Sequence, residues 1–365
     1  MTLALYLARR FVWTFLYVFA GFFIILFFID VVEQIRRFAR FDLGLGPLAE
    51  LALLNVPASV YRILPLIVIL ASIALFLALA RSSELVVIRA SGRSALRMLV
   101  APVVAALIIG VVAVAVFNPI VAGTTKRYEA LSGRYQRDDN NVLSISREGF
   151  WLRQGGPDGQ TVIRADRSNP DGTTLFGVTF LSFSPDGGPF MRIEADEATL
   201  GKGVWTIANA KEWRFTQGEN PEQTAQTHRS MTLPSDLTAD QIRDSFGTPS
   251  AIPIWQLPAF ITALERAGFS PRKHRVWLQM ELALPLLLAT MVLVGAGFTM
   301  RHARSGRTGM MVLLAIIAGF SIFLLRNFAQ VLGETGQIPI LVSAWSPPTA
   351  AMLFSLSLLL HLEDG

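Results

Sequence analysis

The chain has no cysteine among its 365 residues, which excludes disulfides and thiolate metal sites. Its four histidines (His228, His274, His302 and His361) are scattered along the sequence and suggest no metal cluster. Charged residues make up only 16% of the chain against 52% hydrophobic, a departure from soluble averages in the membrane direction. No Gly-x-x-x-x-Gly-Lys-[Ser/Thr] loop is present, and no nucleophile–base constellation suggests itself. The chain therefore reads as neither an ATP motor nor a hydrolase. No catalytic residue, resident cofactor or nucleic-acid partner is expected.

Long apolar runs are what it does have. Phe11–Ile29, Ile63–Ala80, Leu99–Phe117 and Leu282–Met300 carry no charged side chain. Each is about 18–19 residues long, enough at ~1.5 Å per residue to cross a ~30 Å hydrocarbon core. Met310–Phe328 is a fifth span, interrupted by Arg326 and Asn327, and Ile338–Leu360 a sixth, broken by Pro339, Pro347 and Pro348. In lipid every backbone polar group must be satisfied internally, so these spans should be helices. The first span lacks a small-residue cleavage site after it and reads as a retained helix.

An even number of spans puts both termini on one side. Lys and Arg near the span ends are nearly balanced between the two sides, so the positive-inside rule does not choose. The purely basic loop Arg301–Arg307 favours termini inside, with the insert exported.

Between the two sets of spans the period changes. Gln160–Asp166, Thr173–Ser184, Phe190–Ala195, Gly203–Ala208 and Lys211–Thr216 are rich in Val, Ile, Phe, Trp and Thr. Turn chemistry at 155–159, 169–172, 184–188, 201–203 and 218–221 separates several of them. This indicates an antiparallel sandwich or jelly roll. The division reads as 1–125 (three spans), 126–250 (an all-β, jellyroll-like insert) and 251–365 (a short helix and three spans). Apolar positions of the sheet, Phe180 and Ile193 among them, either close a core or line a slot open to a lipid chain. Ile254, Leu257, Phe260, Ile261 and Leu264 fall at helical spacing ahead of Gly268. That helix lies on the membrane surface or against the β domain; the sequence leaves both open.

The loop after the second span, Arg81-Ser-Ser-Glu-Leu-Val-Val-Ile-Arg-Ala-Ser-Gly-Arg93, predicts a short helix over about 82–92. Ser82 or Ser83 would cap it, Glu84 would face its positive end, and Gly92 would follow it. Leu85, Val86 and Ile88 give it an apolar face. Arg326, ionisable within a span, is either a functional group or a side chain snorkelling outward.

The run Ala80–Gly92 closely resembles the coupling-helix region of the LptF/LptG permeases of lipopolysaccharide export. So do Asn55-Val-Pro57, Leu64-Pro65, Glu33-Gln-Ile-Arg-Arg37, Gly149-Phe-Trp-Leu-Arg153, Gly203-Val-Trp-Thr-Ile207 and Ile252–Pro258, within the same 3 + β + 3 layout. The resemblance implies a permease subunit in a bacterial inner membrane with its β-jellyroll in the periplasm. It implies pairing with an LptF-type permease and a dimeric LptB-type ATPase, which binds the ATP, and a route through LptC to an LptA bridge. By the same resemblance Glu84, with Leu85, Val86 and Arg89 around it, couples to the ATPase. Arg36, Arg37 and Lys126, joined by Arg326 on physical grounds, would meet lipopolysaccharide phosphates. A basic family position at the end of the first span falls on Asp30 here. The paralogous LptF role, and a mechanotransmission protein that moves no lipid, are the alternatives.

Physics supports a stepwise path. Exposing acyl chains to water costs ~0.8 kcal/mol per CH₂, so a many-chained lipid must slide from bilayer to apolar cavity to apolar slot.

Overall fold

The computed structural model describes all residues except 1, 42, 83, 86–93, 137–142, 147–148, 157–158, 170–171, 185–187, 216–219, 236, 239–241, 243–247, 301–307 and 365. The described residues form two compact units. One comprises 1–137, 250–255 and 272–365; the other comprises 138–249 and 256–271.

The first unit is helical. It contains α1 (Thr2–Arg37), α2 (Leu45–Arg62), α3 (Leu64–Arg81) and α4 (Ala95–Val112). A π-helical turn (Ala113–Phe117) then runs directly into α5 (Asn118–Gln136). After the insert, in which α6 (Leu257–Arg266) lies, come α7 (Arg272–Thr299), α8 (Thr308–Glu334) and α9 (Ile340–Asp364). Six of the described helical stretches are long and apolar enough to cross a membrane. Pro65 stands in the first turn of α3, where its missing N–H leaves no bond unmade. Ser94 caps α4 by accepting from the Arg97 amide at 3.3 Å. Arg36 and Arg37 close α1, facing the negative end of its dipole.

Helix α7 is the hub, with 78% of its most apolar window buried against 6% for α1. Met291 and Val292 of α7 join Phe76 and Leu79 of α3 and Phe11 of α1 in one core. Helix α1 presents most of its apolar surface outward, so its surroundings are lipid or another protein chain.

The second unit is all-β. Seven strands, β1 (Leu143–Ser146), β2 (Gly149–Gly156), β3 (Gly159–Ser168), β4 (Thr174–Phe183), β5 (Pro189–Leu200), β6 (Val204–Arg214) and β7 (Gln226–Pro234), form one antiparallel sheet in sequence order. A membrane helical protein with an inserted β domain is therefore what the structure shows. Its strand order is a meander, and its sandwich character comes from rolling. Gln154 of β2 accepts from Trp205 Nε1 of β6 at 3.1 Å and from the Ser235 hydroxyl at 2.8 Å. Strands four apart in the sheet thus meet through their side chains.

The roll has a crease. On β3 the inward residues are Ile163, Ala165 and then Ser168; on β5 they are Ile193, Ala195 and then Ala198. β4 and β6 make the same one-residue change of phase. The row between, Asp166–Gly177–Asp196–Asn209, follows from the unbroken register on either side. Gly177 and Asn209 hold left-handed φ of 61° and 53°, a conformation that glycine and asparagine tolerate best. Asn209 Nδ2 donates to Asp196 at 3.1 Å. Gly203–Ala208 and Lys211–Thr216, expected as two strands, are consequently one strand bent at Asn209. β7 is hard to read from sequence because its apolar alternation is limited to Met231 and Leu233, both only partly buried against the β core.

Of the two placements open to the helix before the fourth span, the structure takes the β domain. Leu264, Ala267 and Phe269 belong to the β core, and Phe269 meets the Phe150 ring edge-on at 4.8 Å. Gly268 ends α6 at φ 86°, with the Phe269 amide bonded to the Leu264 carbonyl at 3.0 Å. The Ser168 amide donates to the Ala267 carbonyl at 2.7 Å.

A Cβ on Gly268 would lie 1.9 Å from the Ser168 carbonyl oxygen. Gly268→Ala is expected to destabilise the β unit by about 1–3 kcal/mol, seen as faster limited proteolysis within 138–249 and 256–271 while the helical unit stays protected.

Candidate functional site

Helix α1 brings two polar regions into one rigid element. At its start, Arg10 Nη1 lies 2.8 Å from Glu84 Oε1, the Tyr6 hydroxyl donates to Glu84 Oε2 at 2.9 Å, and Ser82 Oγ sits 2.8 Å from Oε1. The hydrogen bond from Arg10, with those from Ser82 and Tyr6, holds the Glu84 carboxyl below its usual range. Ser82 closes α3, with its hydroxyl 3.0 Å from the Ala78 carbonyl. Of the two N-cap candidates, Ser82 thus serves the helix it ends, and Ser83 lies outside the described residues. Glu84 and Leu85 are helical, and Leu85 is buried in the bundle core. Val86 and Arg89 lie outside the described residues.

At the other end of α1, Arg36 pairs with Glu33 at 2.8 Å on an exposed surface. Arg37 Nη1 donates to the Tyr128 hydroxyl of α5 at 2.9 Å. Lys126, two residues before Tyr128, is exposed and has no ion pair among the described residues. Arg127 instead pairs with Glu50 of α2 at 3.1 Å. Asp30 is an internal partner, accepting from Asn55 at 2.7 Å and from the buried Gln34 at 3.3 Å. A basic patch thus surrounds the junction of α1 and α5, with Arg37 and α5 joined through Tyr128.

A third cluster was not legible as a site. Glu281 of α7, 1% exposed, accepts from the Tyr61 hydroxyl and from Asn118 Nδ2 at 3.3 Å. Asn118 Oδ1 accepts from the Ile254 amide at 2.9 Å. Trp255 Nε1 donates to the Ala115 carbonyl at 3.1 Å. Ala115 lies in the π-turn, whose wider hydrogen-bond spacing frees carbonyls for outside donors. Half-buried Arg326 of α8 acts electrostatically on both Glu281 and Tyr61, and has no hydrogen bond among the described residues. It is not joined to the Arg36–Arg37 patch by any contact seen. The apolar run beginning at Leu282 disguises Glu281 as a boundary residue. The helix begins at Arg272, so Glu281 is in fact about 13 Å inside it.

In the β unit Phe180 and Ile193 are paired across β4 and β5, and both are 0% exposed. Phe180 meets Trp205 edge-on at 6.0 Å. Among the described residues no group of His, Asp or Glu could hold a metal ion.

The family model for the lipopolysaccharide export system permease LptF/LptG matches residues 5–361. The chain is 24% identical over 341 residues to the lipopolysaccharide export system permease protein LptG of Escherichia coli K12, covering 92% of this chain and 90% of that one. It is 22% identical over 317 residues to the protein of the same name from Haemophilus influenzae Rd, covering 85% and 84%.

The Glu281 cluster has its own test. Tyr61→Phe removes a donor from a buried carboxyl and is expected to cost about 1–3 kcal/mol. A lowered unfolding temperature in detergent would show it; an unchanged one would mean the carboxyl is satisfied without Tyr61.

Proposed function

The chain belongs to the LptF/LptG family of lipopolysaccharide export permeases, and from that membership we propose that it is the LptG-type half of a heterodimeric, ATP-driven lipid extractor. Its partner half is an LptF-type permease, and its motor is an LptB-type ATPase dimer docked at the Glu84 loop. The lipid leaves the outer leaflet of the inner membrane and passes by a periplasmic β unit toward LptC and an LptA bridge. The family match over residues 5–361, spans and insert together, carries this reading.

The geometry suggests how force enters. Helix α1 is continuous over 36 residues, about 54 Å at 1.5 Å each. Arg10 ties its start to Glu84, and Arg36 and Arg37 stand at its end. Displacement of the Glu84 loop by the ATPase moves a rod whose far end carries the basic patch. Arg36, Arg37 and Lys126 receive lipid phosphates as charge-assisted pairs there, and Arg326 offers a guanidinium deeper in the bundle.

A second reading, in which the β unit transmits motion without carrying lipid, draws on the complete burial of Phe180 and Ile193. A lipid slot at those positions requires the core to open. A photoreactive residue at position 36 or 326 separates the two readings: lipopolysaccharide adducts support extraction, and protein adducts alone refute it.

Two variants test the parts. Glu84→Lys is expected to weaken ATPase association or uncouple hydrolysis from transport, and wild-type binding with wild-type transport would remove Glu84 from this role. The low carboxyl pKa makes the Glu84 contribution fully present above the ordinary carboxylate value of 4.5 and lost as pH falls through the lower folded value. Association should therefore hold steady from pH 7 to about 5 as far as Glu84 is concerned. Arg36→Glu with Arg37→Glu should impair lipid loading with assembly intact; normal loading would place the phosphates elsewhere.

A further inference from the structure

Arg9 and Arg10 are adjacent, yet they face different surroundings. Arg10 is consumed by Glu84. Arg9 lines a groove of about 1190 Å³ between α1 and α4, and Arg97 of α4 lines it too. Arg9 is the eighth residue of α1 and Arg97 the third of α4, and both line the groove. Neither has an acidic partner among the described residues. The remaining walls are apolar, with Trp13 and Leu16 from α1 and Val104 and Ile108 from α4.

We propose that this groove binds one anionic glycerophospholipid, its phosphate held between Arg9 and Arg97 and an acyl chain laid along α1 and α4. Length agrees: from Arg97 to Val112 the groove follows α4 for about 22 Å, more than the about 15 Å depth of one leaflet. Charge agrees: two cations with no acidic partner among the described residues, in an otherwise hydrocarbon groove, match a phosphate above an acyl chain. A transmembrane helix laid in the same groove would need to bring its own acid to that end. The need is also visible, since α1 has 6% of its most apolar window buried by protein. The site lies at the Glu84 end of α1, opposite Arg36 and Arg37, so it is distinct from the proposed loading site. It holds by lipid the end of α1 that Arg10 holds by Glu84.

The test uses the purified transporter complex and native mass spectrometry, with phosphatidylglycerol and phosphatidylcholine as probes. The wild type is expected to retain phosphatidylglycerol preferentially, and Arg9→Gln with Arg97→Gln to weaken that retention about tenfold without loss of assembly. Val104→Trp, which fills the groove, should reduce retention of both lipids. Equal retention of the two lipids by the wild type would overturn the proposal, as would wild-type retention by the double variant. A photoreactive residue at position 108 gives an independent reading: phospholipid adducts support the site. Adducts to a partner protein, or to lipopolysaccharide, refute it.

Discussion

Hydrocarbon offers no hydrogen bonds, and most of the helical unit follows from that constraint. Each backbone polar group in a span must be answered inside the protein, which fixes the helices. The same rule makes every polar side chain at that depth a demand on its neighbours. Glu281 shows the demand at its strongest. Its carboxyl draws Tyr61 from the end of α2 and Asn118 from the start of α5, and Asn118 in turn receives the Ile254 amide. One buried acid thus ties three helices and the returning chain segment together at a single level. The π-turn beside it is part of the same solution, since a carbonyl it presents is met by Trp255. Placing this knot on α7, the most enclosed span, spares the acid from lipid.

The β unit answers a different constraint. A single seven-stranded sheet has one apolar face and no second sheet to cover it, so it must roll. Rolling requires the strands to bend at a common row, and each then spends one residue on the outer side of the bend. Asp166, Gly177, Asp196 and Asn209 form that row. After rolling, the open end of the core still needs a lid, which α6 and Phe269 supply. Membership of α6 in the β unit follows from this vacancy more than from the helix itself.

Legibility in the sequence tracks how local the cause is. The spans and the turn at 201–203 are readable because composition alone decides them. β7 is not, since an edge strand whose alternation is only Met231 and Leu233, both partly buried, gives too short a pattern. The break in alternation at Asn209 imitated a strand end, because a change of inward face looks the same as a loss of pattern. At the site, Arg36, Arg37, Lys126 and Glu84 were named from the resemblance, and Arg326 from its position in a span. Glu281 was hidden by its place beside an apolar run, and its partners are 220 and 163 residues away. Pairing at that range leaves no mark on a single sequence.

Helix α1 runs unbroken over 36 residues. It is the least enclosed span, and both of its ends carry arginines. At its start Arg10 pairs with Glu84 of the following loop, and at its end Arg36 pairs with Glu33 of the same helix on an exposed surface while Arg37 reaches Tyr128 of α5. A helix firmly embedded in protein could not move without breaking core contacts, whereas one flanked by lipid moves by exchanging one apolar neighbour for another at little free-energy cost. The poor enclosure of α1 is therefore compatible with the displacement proposed for it. Its start meets the loop at Glu84 through a half-buried salt bridge and the Tyr6 hydrogen bond, beside Leu85 in the bundle core, so in the proposed coupling a partner that competes for that carboxylate acts on the polar part of the joint.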